Sequence, residues 1–105
     1  MKNNKRVVVT GMGIISPIGN SIDEFWQNVK VGKHGFVYND RVDVSEHQSK
    51  YAGLVKNFKV TEYMTFKQAQ RMDLFSAYAV SAAKQAVASS GLDLTSVDLE
   101  RCGVS

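Results

Sequence analysis

Residues 6–10 read Arg-Val-Val-Val-Thr, a β-branched run whose apolar positions do not alternate with polar ones. Such a run predicts a short strand buried on both faces. Gly11, Met12 and Gly13 follow, allowing close backbone approach or positive φ, and residues 16–20 (Ser-Pro-Ile-Gly-Asn) form a turn-prone loop. A helix is then expected from Ser21. Ser21 and Glu24 have capping-box spacing, Asp23 suits the positive end of the helix dipole, and Ile22, Phe25, Trp26 and Val29 fall on one face. Lys30 and Gly32 close it. Residues 33–60 are weakly patterned, with a turn expected at 34–36 and a short strand at 51–55. A single long helix is predicted over about 65–90, because no Pro or Gly interrupts it before Gly91. Met72, Phe75, Ala79, Ala83 and Ala86 form one stripe, while Tyr78, Val80, Ala82 and Val87 occupy other faces. With no charge over 74–83, this helix should be buried nearly all round. So short a chain is not expected to supply that much cover. Residues 101–105 resemble the opening of a second buried strand.

Strand, loop and helix in that order predict an α/β arrangement, and the length of 105 residues predicts one structural unit spanning 1–105. The composition, 44% hydrophobic and 22% charged, is that of a soluble globular protein. The charge-free stretch from Val7 toward Asp23 is broken by Gly11, Gly13, Pro17 and Gly19, so neither an export signal nor a membrane span is expected. Cytoplasmic localisation follows as the default. Charge is uneven. Residues 1–71 carry eleven basic and six acidic side chains, and residues 72–105 carry two and four. A basic first part can meet an acidic partner, but no aromatic–basic interleaving suggests nucleic acid.

Candidate chemistry is sparse. The Gly11–Gly13 pair after an apolar run invites a dinucleotide-binding reading, yet Ser16 and Pro17 stand where the phosphate-binding helix should already have begun. A structural turn and no bound cofactor are therefore expected. Cys102 is the only cysteine, which excludes an internal disulfide or a multi-cysteine metal site. It reads as a small buried hydrophobe within a strand rather than a nucleophile. His34 and His47 lie in polar, turn-like segments with no partner at metal spacing, so they are expected on the surface and no metal is expected. Lys67 and Arg71, four apart at the start of the long helix, should share a face as solubilising residues or as an anion contact.

Residues 6–20 (RVVVTGMGIISPIGN), 51–58 (YAGLVKNF) and 71–75 (RMDLF), the last leading to Ser90, Gly91 and Leu92, together resemble β-ketoacyl-[acyl-carrier-protein] synthases of the dissociated, type II kind. The resemblance runs in register along essentially the whole chain and covers the N-terminal part of that family. It implies the thiolase-like fold, an α-β-α-β-α layered arrangement that would be incomplete here, usually built as a homodimer. It implies decarboxylative Claisen condensation, in which an active-site cysteine takes an acyl chain from acyl-carrier protein. Two histidines then assist decarboxylation of malonyl-carrier protein and oxyanion stabilisation.

None of those catalytic positions matches a residue here. The family's nucleophile lies beyond Cys102 and its histidines lie in the second half, so Cys102, His34 and His47 inherit no catalytic role. The chain is expected to be an N-terminal fragment of fatty-acid biosynthesis machinery, inactive alone. A chain-length-factor-like partner and a non-enzymatic carrier-protein-binding fragment are the alternatives. The resemblance also places Lys67 and Arg71 on a basic patch that receives the acidic helix of acyl-carrier protein. Gln70 occupies a position that is often basic in relatives.

Overall fold

The computed structural model describes residues 3–105. Helix α1, Ile22–Lys30, begins as its punctuation dictates: the Ser21 side chain accepts from the Glu24 amide at 3.2 Å. Glu24 reaches back to the Asn20 amide, one residue before the capping position. Past the helix, Gly32 adopts φ +72°, where a Cβ would be strained. Ile22 and Phe25 of the expected apolar face are half-buried, whereas Trp26 and Val29 remain exposed.

In the poorly patterned middle, strand β1 (Phe36–Tyr38) pairs antiparallel with β2 (Tyr51–Gly53) in the register Phe36↔Gly53, Val37↔Ala52, Tyr38↔Tyr51. The turn expected at 34–36 thus gives way to a strand at Phe36, and the strand expected at 51–55 ends at Gly53. Each strand alternates exposed, half-buried, exposed, which turns Phe36, Tyr38 and Tyr51 outward. Lys56 joins this ribbon to the N-terminal loop. Its ammonium donates to the carbonyls of Pro17, Gly35 and Leu54 at 3.1–3.3 Å, using all three donors.

The long helix predicted over 65–90 is two helices. Thr65 opens α2, Phe66–Ala69, with a reciprocal capping box to Gln68. The chain then tightens: the amides of Arg71 and Met72 bond three residues back, to Gln68 and Ala69. Asp73 is extended (φ −68°, ψ 159°) and its carbonyl accepts from the Ala77 amide, starting α3, Leu74–Ser90. Asp73 was the available signal, because aspartate favours the position before a helix. Gly91, left-handed at φ +65°, ends α3 as expected.

Two expected strands do not form. Residues 6–10 join no ladder among the described residues, and Val7 and Val9 are 91% and 80% exposed. A strand is defined by its neighbour, and none is placed there. Residues 102–105 are exposed coil after the 3₁₀ turn Leu99–Arg101, so Cys102 is exposed rather than buried. The all-round burial expected of α3 is also unmet. Only Ala77 and Ser81 are buried, and Phe75 stands 72% exposed. The radius of gyration is 17.8 Å, against about 13 Å for a compact domain of this size.

Candidate functional site

The most closely built junction joins residues 11–14 to α3. The Met12 amide donates to Ser89 Oγ at 3.0 Å, Ser89 Oγ donates to the Met12 carbonyl at 3.2 Å, and the Ile14 amide donates to Gln85 Oε1 at 3.1 Å. Gln85 and Ser89 are one turn apart, about 6 Å along a helix. Two residues of extended chain span roughly 6.6 Å, so Met12 and Ile14 match that interval. The segment therefore runs extended and antiparallel to α3, with Gln85 and Ser89 standing in for a neighbouring strand. Gln85 Nε2 also donates to the Asn20 carbonyl at 2.7 Å and to the Tyr63 hydroxyl at 3.0 Å. One side chain thereby ties three segments together.

The two glycines make this contact possible. A Cβ on Gly11 would lie 2.1 Å from the Ala86 carbonyl oxygen, and one on Gly13 would lie 2.0 Å from that of Ala82. Of the two expectations, close approach is realised and positive φ is not. The same contact removes the physical basis for phosphate binding. The glycines face carbonyls of the C-terminal half of α3, the negative end of its dipole, and α1 begins only at Ile22. Beside the junction lies an open cleft of about 750 Å³ walled by Val9, Met12, Ile22, Tyr63, Gln85 and Ala88, among others. Asp23 and the Tyr63 phenol are the ionisable groups on its wall.

The other candidates are dispersed. His34 and His47 are exposed as expected, and the His34 ring accepts the Phe36 amide through Nδ1 at 3.2 Å. Among the described residues, no cluster of His, Cys, Asp or Glu has metal-holding geometry. The exposed Cys102 thiol donates to the Asp98 carbonyl at 3.6 Å, with no base beside it. Asp43 and Asp93 are held below the ordinary carboxylate value by hydrogen bonds from Ser45 and Thr95 respectively, the local chemistry of exposed turns. Lys67 and Arg71 are both exposed, but only Lys67 lies within α2. Arg71 follows in the tight turn after Gln70, so the continuous helical face expected for the pair is replaced by a helix end. Sequence reading missed Gln85, Ser89 and Lys56. Gln85 and Ser89 had a signal, since they are polar residues four apart on a helix that is otherwise largely apolar. Lys56 had none, because its three acceptors come from distant loops.

Comparison with known proteins agrees with the resemblance. Residues 4–105 match the family model described as "Beta-ketoacyl synthase, N-terminal domain". This chain belongs to the β-ketoacyl synthase family. Relatives include the protein named 3-oxoacyl-[acyl-carrier-protein] synthase 2 from Vibrio harveyi, 43% identical over 103 residues, covering 98% of this chain and 25% of the relative. The protein of the same name from Vibrio cholerae is 40% identical over 103 residues, again 98% of this chain and 25% of the relative. That from Staphylococcus aureus is 41% identical over 104 residues, 99% of this chain and 25% of the relative. The chain thus spans about a quarter of the length of the relatives it matches. No helix among the described residues is long and apolar enough to cross a membrane.

Proposed function

We propose that this β-ketoacyl synthase chain serves as the N-terminal part of a 3-oxoacyl-[acyl-carrier-protein] synthase of fatty-acid biosynthesis. The observation that carries this is the in-register identity of 43% over 98% of the chain to a relative bearing that name. The reaction is decarboxylative condensation of an acyl thioester with malonyl-carrier protein, and the partner is acyl-carrier protein. The chain's own contribution is framework. Residues 6–14, α1 and α3 supply one part of the α-β-α-β-α layers, while the nucleophilic cysteine and the two histidines come from positions it does not match. The isolated chain is accordingly inactive. Lys67 and Arg71 belong to the surface that receives the carrier protein's acidic helix. The complete synthase works as a cytoplasmic homodimer without cofactor or metal.

The test is a chimera in which residues 4–105 replace the matching quarter of the Vibrio harveyi synthase. The proposal expects β-ketoacyl product from acyl- and malonyl-carrier protein at a rate within about tenfold of the parent. A soluble, folded chimera with no condensing activity would overturn it.

A further inference from the structure

Resting on the carrier-protein reading of Lys67 and Arg71, we infer that Tyr63 is a positioning residue for carrier-protein capture and acts through α2. Helix α2 is a single turn, and its Phe66, Lys67 and Gln68 are exposed, so its own side chains do little to fix it. A helix this short is unstable alone in water, and its direction is set by whatever holds its ends. Among the described residues, α2 packs more against the 3₁₀ turn Val60–Glu62 than against any other element. Tyr63 ends that turn, its amide donating to the Val60 carbonyl at 3.0 Å.

Both polar ends of Tyr63 are tied to adjacent residues of α3. Its hydroxyl accepts from Gln85 Nε2 at 3.0 Å, and its carbonyl accepts from the Lys84 ammonium. The Gln85 amide is itself immobilised, since Oε1 accepts from the Ile14 amide and Nε2 also donates to the Asn20 carbonyl. The Tyr63 ring stacks on Phe58 with centroids 6.2 Å apart, and Phe58 meets Tyr78 of α3 edge-on at 4.9 Å. Met64 follows, buried, and Thr65 then caps α2. Lys67 therefore stands four residues beyond a point fastened to the long helix. Arg71 stands two residues before Asp73, which starts α3 itself. The two cations sit on a strap fixed to α3 at both ends, and Tyr63 is its N-terminal fastening. Exposed charge pairs contribute little individually, so capture depends on presenting both cations together to an acidic partner. Loosening the Tyr63 end leaves the charge of the strap unchanged and adds an ordering cost to binding.

The experiment uses the chimera and replaces Tyr63→Phe, which removes the hydroxyl and keeps the ring on Phe58. Affinity for acyl-carrier protein is measured by titration at low salt, and steady-state kinetics are measured with acyl-carrier protein and with a small acyl thioester. Tyr63→Phe should raise Kd and KM for acyl-carrier protein about threefold, in keeping with one neutral hydrogen bond. The kcat, and turnover of the small thioester, should hold. In a Lys67→Glu, Arg71→Glu background the same substitution should add no further loss, because its effect passes through those two side chains. An unchanged Kd, equal losses on the two substrates, or an equal loss in both backgrounds overturns the positioning role. If Lys67→Glu with Arg71→Glu leaves Kd unchanged, the carrier-protein reading falls and takes this inference with it. If that charge reversal weakens binding and Tyr63→Phe does not, only the role of Tyr63 falls. An inactive chimera that still binds acyl-carrier protein counts against the family function, and the Kd comparison alone then decides for or against Tyr63.

Discussion

Gly13 shows how a residue without a side chain can decide a junction. The Cβ of an alanine there would meet the Ala82 carbonyl oxygen at 2.0 Å, and that oxygen belongs to helix backbone that cannot swing aside. Either the Ile14–Gln85 bond or the local helix must shift. Overpacking of this kind costs about 1–3 kcal/mol. Gly13→Ala should therefore lower the chemical-denaturation midpoint of the chimera, whereas Gly103→Ala, with nothing within 4 Å of its Cβ, should leave it unchanged. Matching midpoints for the two variants would mean that the glycine junction contributes no stability. The sequence allowed close approach at Gly11 and Gly13 but could not say to what. The partner lies about 70 residues away, and only the hydrogen bonds from Met12 and Ile14 identify it.

At the scale of elements, legibility followed how local the determining interaction is. Helix α1 was readable because Ser21, Glu24 and Gly32 act within a few residues of its ends. The break between α2 and α3 had only Asp73 as a signal, since Gln70, Arg71 and Met72 are acceptable helix residues and neither proline nor glycine marks the turn. Strand β1 depends on Tyr51 and Ala52, more than a dozen residues on, and its own three residues give too short an alternation to recognise. The break also reshapes the proposed carrier-protein surface, placing Lys67 and Arg71 on either side of the α2 C-terminus. Both are exposed, so their contribution is screened by salt and acts mainly through capture and orientation. In the chimera, Lys67→Glu with Arg71→Glu should raise KM for acyl-carrier protein about three- to tenfold at low salt, in keeping with individually weak exposed pairs. The difference should shrink at high salt, and activity toward a small acyl thioester should hold. Equal losses on both substrates would assign the two residues to the fold instead of docking.

Taken as a whole molecule, the chain is under-covered. Among the described residues the buried apolar side chains are Val44, Met64 and Ala77, while Val7, Val9, Phe66, Phe75 and Leu99 stand in solvent. The apolar pattern of α3 specified a buried helix, and the helix formed, but the described residues cover only the strip through Ala77 and Ser81. Apolar patches and open strand edges promote association. The isolated chain should therefore bind a hydrophobic dye, melt over a broad range and self-associate as concentration rises. A monomer with a sharp two-state melt and no dye binding would show that the exposed surface is tolerated. The central claim is that this chain supplies framework and docking surface to a condensing enzyme while the nucleophile resides elsewhere. Incubating the chimera and the isolated chain with acyl-carrier protein, then mapping acylation by peptide mass spectrometry, tests it most directly. The account predicts one acyl thioester per chimera, on a cysteine outside residues 4–105, and none on the isolated chain. A specific thioester on Cys102 would contradict it.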